Sequence, residues 1–143
     1  ALNLPNAAAA HPLMTFGPNL ETPEWYRQIP FILDNDTYLE ELLPGFPNLS
    51  FKLSPEKRTY YHALCSLAGN STFLLWKSIN QAFEKELDLP AEVLAPFLHQ
   101  VVTNAMNGER QAFTGPVARG DWSIVKGHLE SLASHPDLKK AYT

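Results

Sequence analysis

The sequence carries a single cysteine, Cys65. This excludes an intrachain disulfide and a cysteine-bound metal site. Basic runs are absent as well. The 143 residues hold 11 Lys and Arg against 15 Asp and Glu, for a formal net charge of −4. Neither nucleic acid nor an anionic membrane is therefore the expected partner. No apolar stretch reaches the roughly 20 residues that span a bilayer. The opening ALNLPNAAAA lacks a basic flank and does not read as a secretory signal. Glycines number seven and are scattered. They form neither GxGxxG nor GxxxxGK(S/T), so the chain has no phosphate loop of its own for a dinucleotide. No G-x-S-x-G nucleophile elbow occurs. HExxH and acidic clusters are missing too, and no metal is expected. Together these absences suit a cytoplasmic protein.

Apolar residues at 45% and charged residues at 18% make an ordinary globular balance, with length enough for a real core. Of twelve prolines, seven fall between Pro5 and Pro47. The composition changes near residue 50, from turn-rich to helically periodic. The expected fold is mainly α, a helical domain on one long central helix preceded by a short α/β segment. The expected boundary separates 1–53 from 54–143.

In the first part, AAAAHPLMTF reads as a strand ending in the Gly17-Pro18 turn. Ile29–Leu33 reads as a short strand, and Thr37–Leu43 as a helix stopped by Pro44-Gly45. LSFKL over Leu49–Leu53 alternates and reads as a half-buried strand. In the second part, Ser54-Pro55-Glu56 starts a helix. Nothing stops it before Leu87 except Gly69, at a cost of about 1 kcal/mol. Its middle, ALCSLAGNSTFLLW, is apolar on more than one face and is expected to be buried centrally. Asp88 and Pro90 start a second helical region with an apolar stripe from Val93 to Met106, split by Pro96 into a first turn and a main helix and ended by Asn107-Gly108. Asp121 caps a third helix. Ser134 or His135 before Pro136 opens a last helical piece.

Arg58, His62, Ser66 and Asn70 recur every four residues and form a polar stripe on an otherwise apolar helix. Such groups need partners. They could bond neighbouring loops. They could also line a cleft, with His62 as acid or base and Asn70 orienting a substrate oxygen. His11 precedes a proline at a strand end; it is a turn histidine or a residue beside a bound ligand. Cys65 reads as an inert buried thiol. His99, His128 and His135 read as surface residues. The loop TGPVARGD, Thr114–Asp121, is either a well-capped connection with Arg119 on a carboxylate, or the far wall of the cleft, with Thr114 and Arg119 facing the substrate.

HPLMTF (His11–Phe16), LSPEKRTYYHALCSLAGN (Leu53–Asn70) and TGPVARGDWSIVKGHLESL (Thr114–Leu132) resemble a family of bacterial Rossmann-like oxidoreductases. Their C-terminal half is catalogued as domain of unknown function 2520. The resemblance covers about residues 8–140. It implies an NAD or NADP cofactor bound by an N-terminal Rossmann domain that this chain lacks. The chain would then be the C-terminal part, inactive alone. The resemblance further implies a helical domain like that of 6-phosphogluconate dehydrogenase relatives, which binds a small-molecule substrate and makes a homodimer. By position His62, Ser66 and Asn70 would face the nicotinamide, and His11 would line the cleft. The lysine of related dehydrogenases has no counterpart at the expected place, since Lys57 lies one turn too early. The alternative is a non-catalytic helical binding or dimerisation module without the cofactor half.

Overall fold

The computed structural model describes residues 7–34, 36–108 and 115–143. The chain divides into two compact units, Ala1–Gly69 and Asn70–Thr143. The first unit therefore takes in a helix beyond the composition change near residue 50.

Three strands, β1 (Ala10–Pro12), β2 (Phe31–Asp34) and β3 (Ser50–Leu53), form a sheet in the order β1-β2-β3. β1 lies antiparallel to β2, with His11 opposite Ile32. β2 and β3 are parallel, with Ile32 opposite Phe51. Parallel neighbours need a crossover. Here it carries the short helix α2 (Leu39–Leu42), followed by Gly45 at φ +79°. A helix at Pro23–Tyr26, α1, was not foreseen in the sequence. Its start signal is nonetheless explicit: Pro23 stands at the first turn, and Thr22 Oγ1 accepts the Trp25 N–H at 3.3 Å.

Among the described residues the buried apolar side chains are Ile29 and Leu33, each 2% exposed, and Leu39 at 5%. Asn48, also buried, clamps this small core. Its Nδ2 donates to the Tyr26 carbonyl at 2.7 Å and the Ile29 carbonyl at 2.9 Å. The end of α1 and the entry to β2 are thus tied to the segment leading into β3. The strand over Leu49–Leu53 is not half-buried as its alternation suggested. Ser50, Phe51 and Lys52 are exposed and only Leu53 is partly covered. The alternation is real, but among the described residues no layer covers the face it prepares.

The helix expected from Ser54 to Leu87 comes in pieces. A 3-10 turn at Pro55–Lys57 leads into α3 (Arg58–Ser66), then a π-helical turn at Leu67–Ser71, then α4 (Thr72–Glu86). Gly69 sits in the π turn. Central burial is not observed. No residue of α3, the π turn or α4 is buried, and Leu67, Phe73 and Leu74 are about 60% exposed. An apolar face is buried only when another layer covers it, and the described residues form none over these segments.

In the second unit, a 3-10 turn at Ala91–Leu94 precedes α5 (Ala95–Met106), with Pro96 in its first turn as expected. Gly108 at φ +66° follows its end. TGPVARGD is not a plain loop: Pro116–Arg119 form a helical turn, α6, before α7 (Trp122–Ser131). The final helix, α8 (Pro136–Tyr142), packs on α4. His135 Nε2 lies 2.9 Å from Glu86 Oε2 across that contact. Among the described residues of this unit none is buried. No helix among them is long and apolar enough to cross a membrane.

Among the described residues several large apolar side chains stand exposed, such as Phe97 at 64%, Trp122 at 69% and Met106 at 79%.

Replacing Asn48 by Ala leaves the Tyr26 and Ile29 carbonyls without this donor. Urea unfolding of the first unit should show a loss of about 1–3 kcal/mol. A loss below about 0.5 kcal/mol would show that the clamp is not what holds α1 to the sheet.

Candidate functional site

Five polar side chains of the first unit, His11, Asp34, Arg58, Tyr61 and His62, come together where β1, β2 and α3 meet. Asp34, the last residue of β2, accepts the Ala9 N–H at 3.0 Å on Oδ2 and pairs through Oδ1 with Arg58 Nη2. Arg58 is the first residue of α3. The pair thereby fixes the start of that helix at the end of the central strand. One turn later come Tyr61 and His62. His11, in the middle of β1, meets both. Its Nδ1 lies 2.6 Å from the Tyr61 hydroxyl. Its ring stands edge-on to His62 with centroids 5.1 Å apart, and to Tyr61 at 5.5 Å. Tyr61 and His62 are themselves 5.3 Å apart. Three polar aromatic rings therefore contact one another in pairs.

A recess of about 40 Å³ opens among Asp34, Leu53, Arg58, Tyr61, His62 and His11. One water molecule occupies about 30 Å³ in the liquid. The recess thus has room for a water or a single ligand atom group.

The electrostatics follow from this placement. Partial burial lowers the His11 pKa below its ordinary value, and the charge of His62 lowers it further. Two imidazoles this close cannot both be charged without cost. The Tyr61 hydroxyl is pushed up to about 12, first by burial and then by its hydrogen bond and charge interaction with Cys65. At neutral pH Tyr61 is a neutral hydroxyl and His11 a neutral imidazole.

Of the residues singled out in the sequence, the structure brings His11 and His62 together. Ser66 ends α3 as an exposed residue of the same unit. Asn70 lies within the π turn and belongs to the second unit. A four-residue stripe is a property of α geometry, and it does not carry through a wider π turn. Arg119, also in the second unit, bonds Asp121 Oδ2 through Nε at 3.1 Å. Asp121 holds the capping position of α7 but makes no side-chain cap bond. Thr114 lies outside the described residues. Tyr61, Asp34 and Cys65 were not singled out as site residues. Tyr61 and Cys65 sit at the flanks of the stripe, where helical periodicity counts them as apolar.

Known proteins resemble the chain in two ways. A family model described as Domain of unknown function (DUF2520) matches residues 34–143. Among solved structures, a candidate NADP oxidoreductase, BF3122 of Bacteroides fragilis, superposes with a TM-score of 0.76 at 23% identity, over 94% of this chain and 53% of that one. Protein TM1727 of Thermotoga maritima superposes with a TM-score of 0.67, also at 23% identity, over 94% and 56%. At such identity these likenesses establish the fold. The chain spans about half the length of either protein. No curated protein matches it.

The lowered His11 pKa has a consequence for folding. As pH falls, the unfolded chain takes up a proton on His11 near the ordinary imidazole value of about 6.5, before the folded chain does. The stability this residue contributes is complete above that value and is lost as pH falls through the folded pKa. Urea unfolding between pH 8 and pH 5 should show a drop below about 6.5 that His11→Gln reduces. Identical pH slopes in the two proteins would show that His11 is not the group responsible.

Proposed function

The chain belongs to the DUF2520 family, and from that membership we propose that it is the substrate-binding and dimerising part of an NAD(P)-dependent oxidoreductase. The substrate class is a small carbonyl, imine or hydroxy compound. The observation that carries this reading is the contact of His11 with His62 beside a recess at the strand end. Paired imidazoles at such a place suit hydrogen bonding to, and proton exchange with, a substrate oxygen. The candidate NADP oxidoreductase of Bacteroides fragilis supports the cofactor assignment.

The residues of the recess do not themselves fit a dinucleotide. Its volume is about 40 Å³, and no glycine lines it. A phosphate-binding turn would have to come from residues outside this chain. When bound there, the nicotinamide would supply or accept the hydride. This chain's part is confined to the substrate. His62 exchanges a proton with the substrate oxygen, His11 holds that oxygen, and the Arg58–Asp34 pair keeps α3 in place.

The exposed apolar helix faces support the second half of the proposal, a homodimer. Obligate dimer interfaces are rich in apolar side chains, and Phe97, Trp122 and Met106, each more than 60% exposed, are of that kind. The same faces would also serve a non-catalytic binding or dimerisation module. Kinetics separates the two readings.

In the full-length protein, His62→Gln should lower kcat/KM for NADPH-dependent reduction about 10²–10⁴-fold. Unchanged turnover would remove the proton-exchange role. Sedimentation equilibrium should give twice the monomer mass; a well-folded monomer at micromolar concentration would remove the dimer.

A further inference from the structure

His11 has two ring nitrogens, and the structure commits one of them. Nδ1 lies 2.6 Å from the Tyr61 hydroxyl. That hydroxyl has one proton to donate. Its other polar neighbour is the Cys65 thiol. An imidazole nitrogen is a strong acceptor and a thiol sulfur a weak one. The hydroxyl proton therefore goes to Nδ1. An Nδ1 that accepts carries no proton of its own. The neutral ring must then carry its proton on Nε2. The raised pKa of Tyr61 keeps the donor protonated throughout the neutral range. Among the hydrogen bonds of the described residues, Nε2 has no protein partner.

We propose that Tyr61 is a positioning residue that locks His11 as its Nε2–H tautomer, so that this ring offers a fixed hydrogen-bond donor to an acceptor oxygen of a small ligand at the recess. The ligand group this suits is a carbonyl or an oxyanion. The inference rests on reading His11 and His62 as a site. It divides the work between them, with His11 holding the oxygen and His62 left to exchange the proton. Tyr61 acts on the ligand only through the ring it holds.

Long-range proton–nitrogen NMR on the full-length protein with labelled histidine tests this without turnover. His11 should show a protonated Nε2 and a bare Nδ1 at pH 7.5. Tyr61→Phe keeps the aromatic ring and removes the hydroxyl. In that variant the tautomers should mix, and the His11 titration should move upward, because a donor favouring the neutral form is lost. An Nδ1–H tautomer in the wild type would overturn the proposal, as would an unaltered tautomer and titration in Tyr61→Phe. The wild-type spectrum decides the first point even if the variant does not fold. A locked tautomer in a protein without oxidoreductase turnover would sink the functional reading and leave this inference standing.

Discussion

Asp34 is the point on which the first unit turns. One carboxylate ends the central strand, receives the backbone N–H that leads into β1, and receives the first side chain of α3. The Arg58 and Asp34 side chains are 42% and 23% exposed. Solvent screening at that exposure limits the pair to about 1 kcal/mol or less. Its importance is geometric. A helix pinned at its first residue has its phase set, and the residues one turn on are delivered to a fixed place. Tyr61 and His62 are those residues, and His11 comes from the strand on the other side of β2. Three separate segments reach one recess because a single carboxylate ties them.

Burial is distributed unevenly. What little core exists lies between Ile29 and Asn48, where strand, crossover helix and the Asn48 clamp close on themselves. The helices beyond Gly69 have the composition of buried elements without the cover. Wide exposure of Phe73, Phe97 and Met106 is costly in water, at about 25 cal/mol for each Å² left uncovered. Helices of this kind owe most of their stability to packing of their apolar faces. The surface proposed to pair is thus also the surface on which the second unit would depend for order.

Much of the secondary structure was legible because proline and glycine punctuate it. Pro55, Pro96 and Pro136 stand at helix starts, Pro44-Gly45 ends α2, and Gly108 follows α5. Helix α1 carried an equally clear signal in Thr22-Pro23-Glu24 but only two aromatic residues, too few to show a period. The central helix is not buried as its composition suggests, because apolar composition records what a helix is suited to, whereas cover comes from other surfaces. The approach of His11 to His62 could be suspected from the HP at a strand end and the stripe on α3. The part of Tyr61 could not. Periodicity counts a tyrosine as apolar, and its hydroxyl gains meaning only once a strand some fifty positions earlier in the chain is laid beside it.

The π turn at Leu67–Ser71 acts as a frameshift in helical phase. A helix is read in steps of 100° per residue, and a turn holding one extra residue resets that reading for everything downstream. The side chains of α3 that serve the recess and the side chains of α4 that present apolar surface are therefore written in two registers. A change that rephases one need not disturb the other. Such a chain could retune the face it offers to a partner, position by position, while the ring cluster at the sheet kept its alignment.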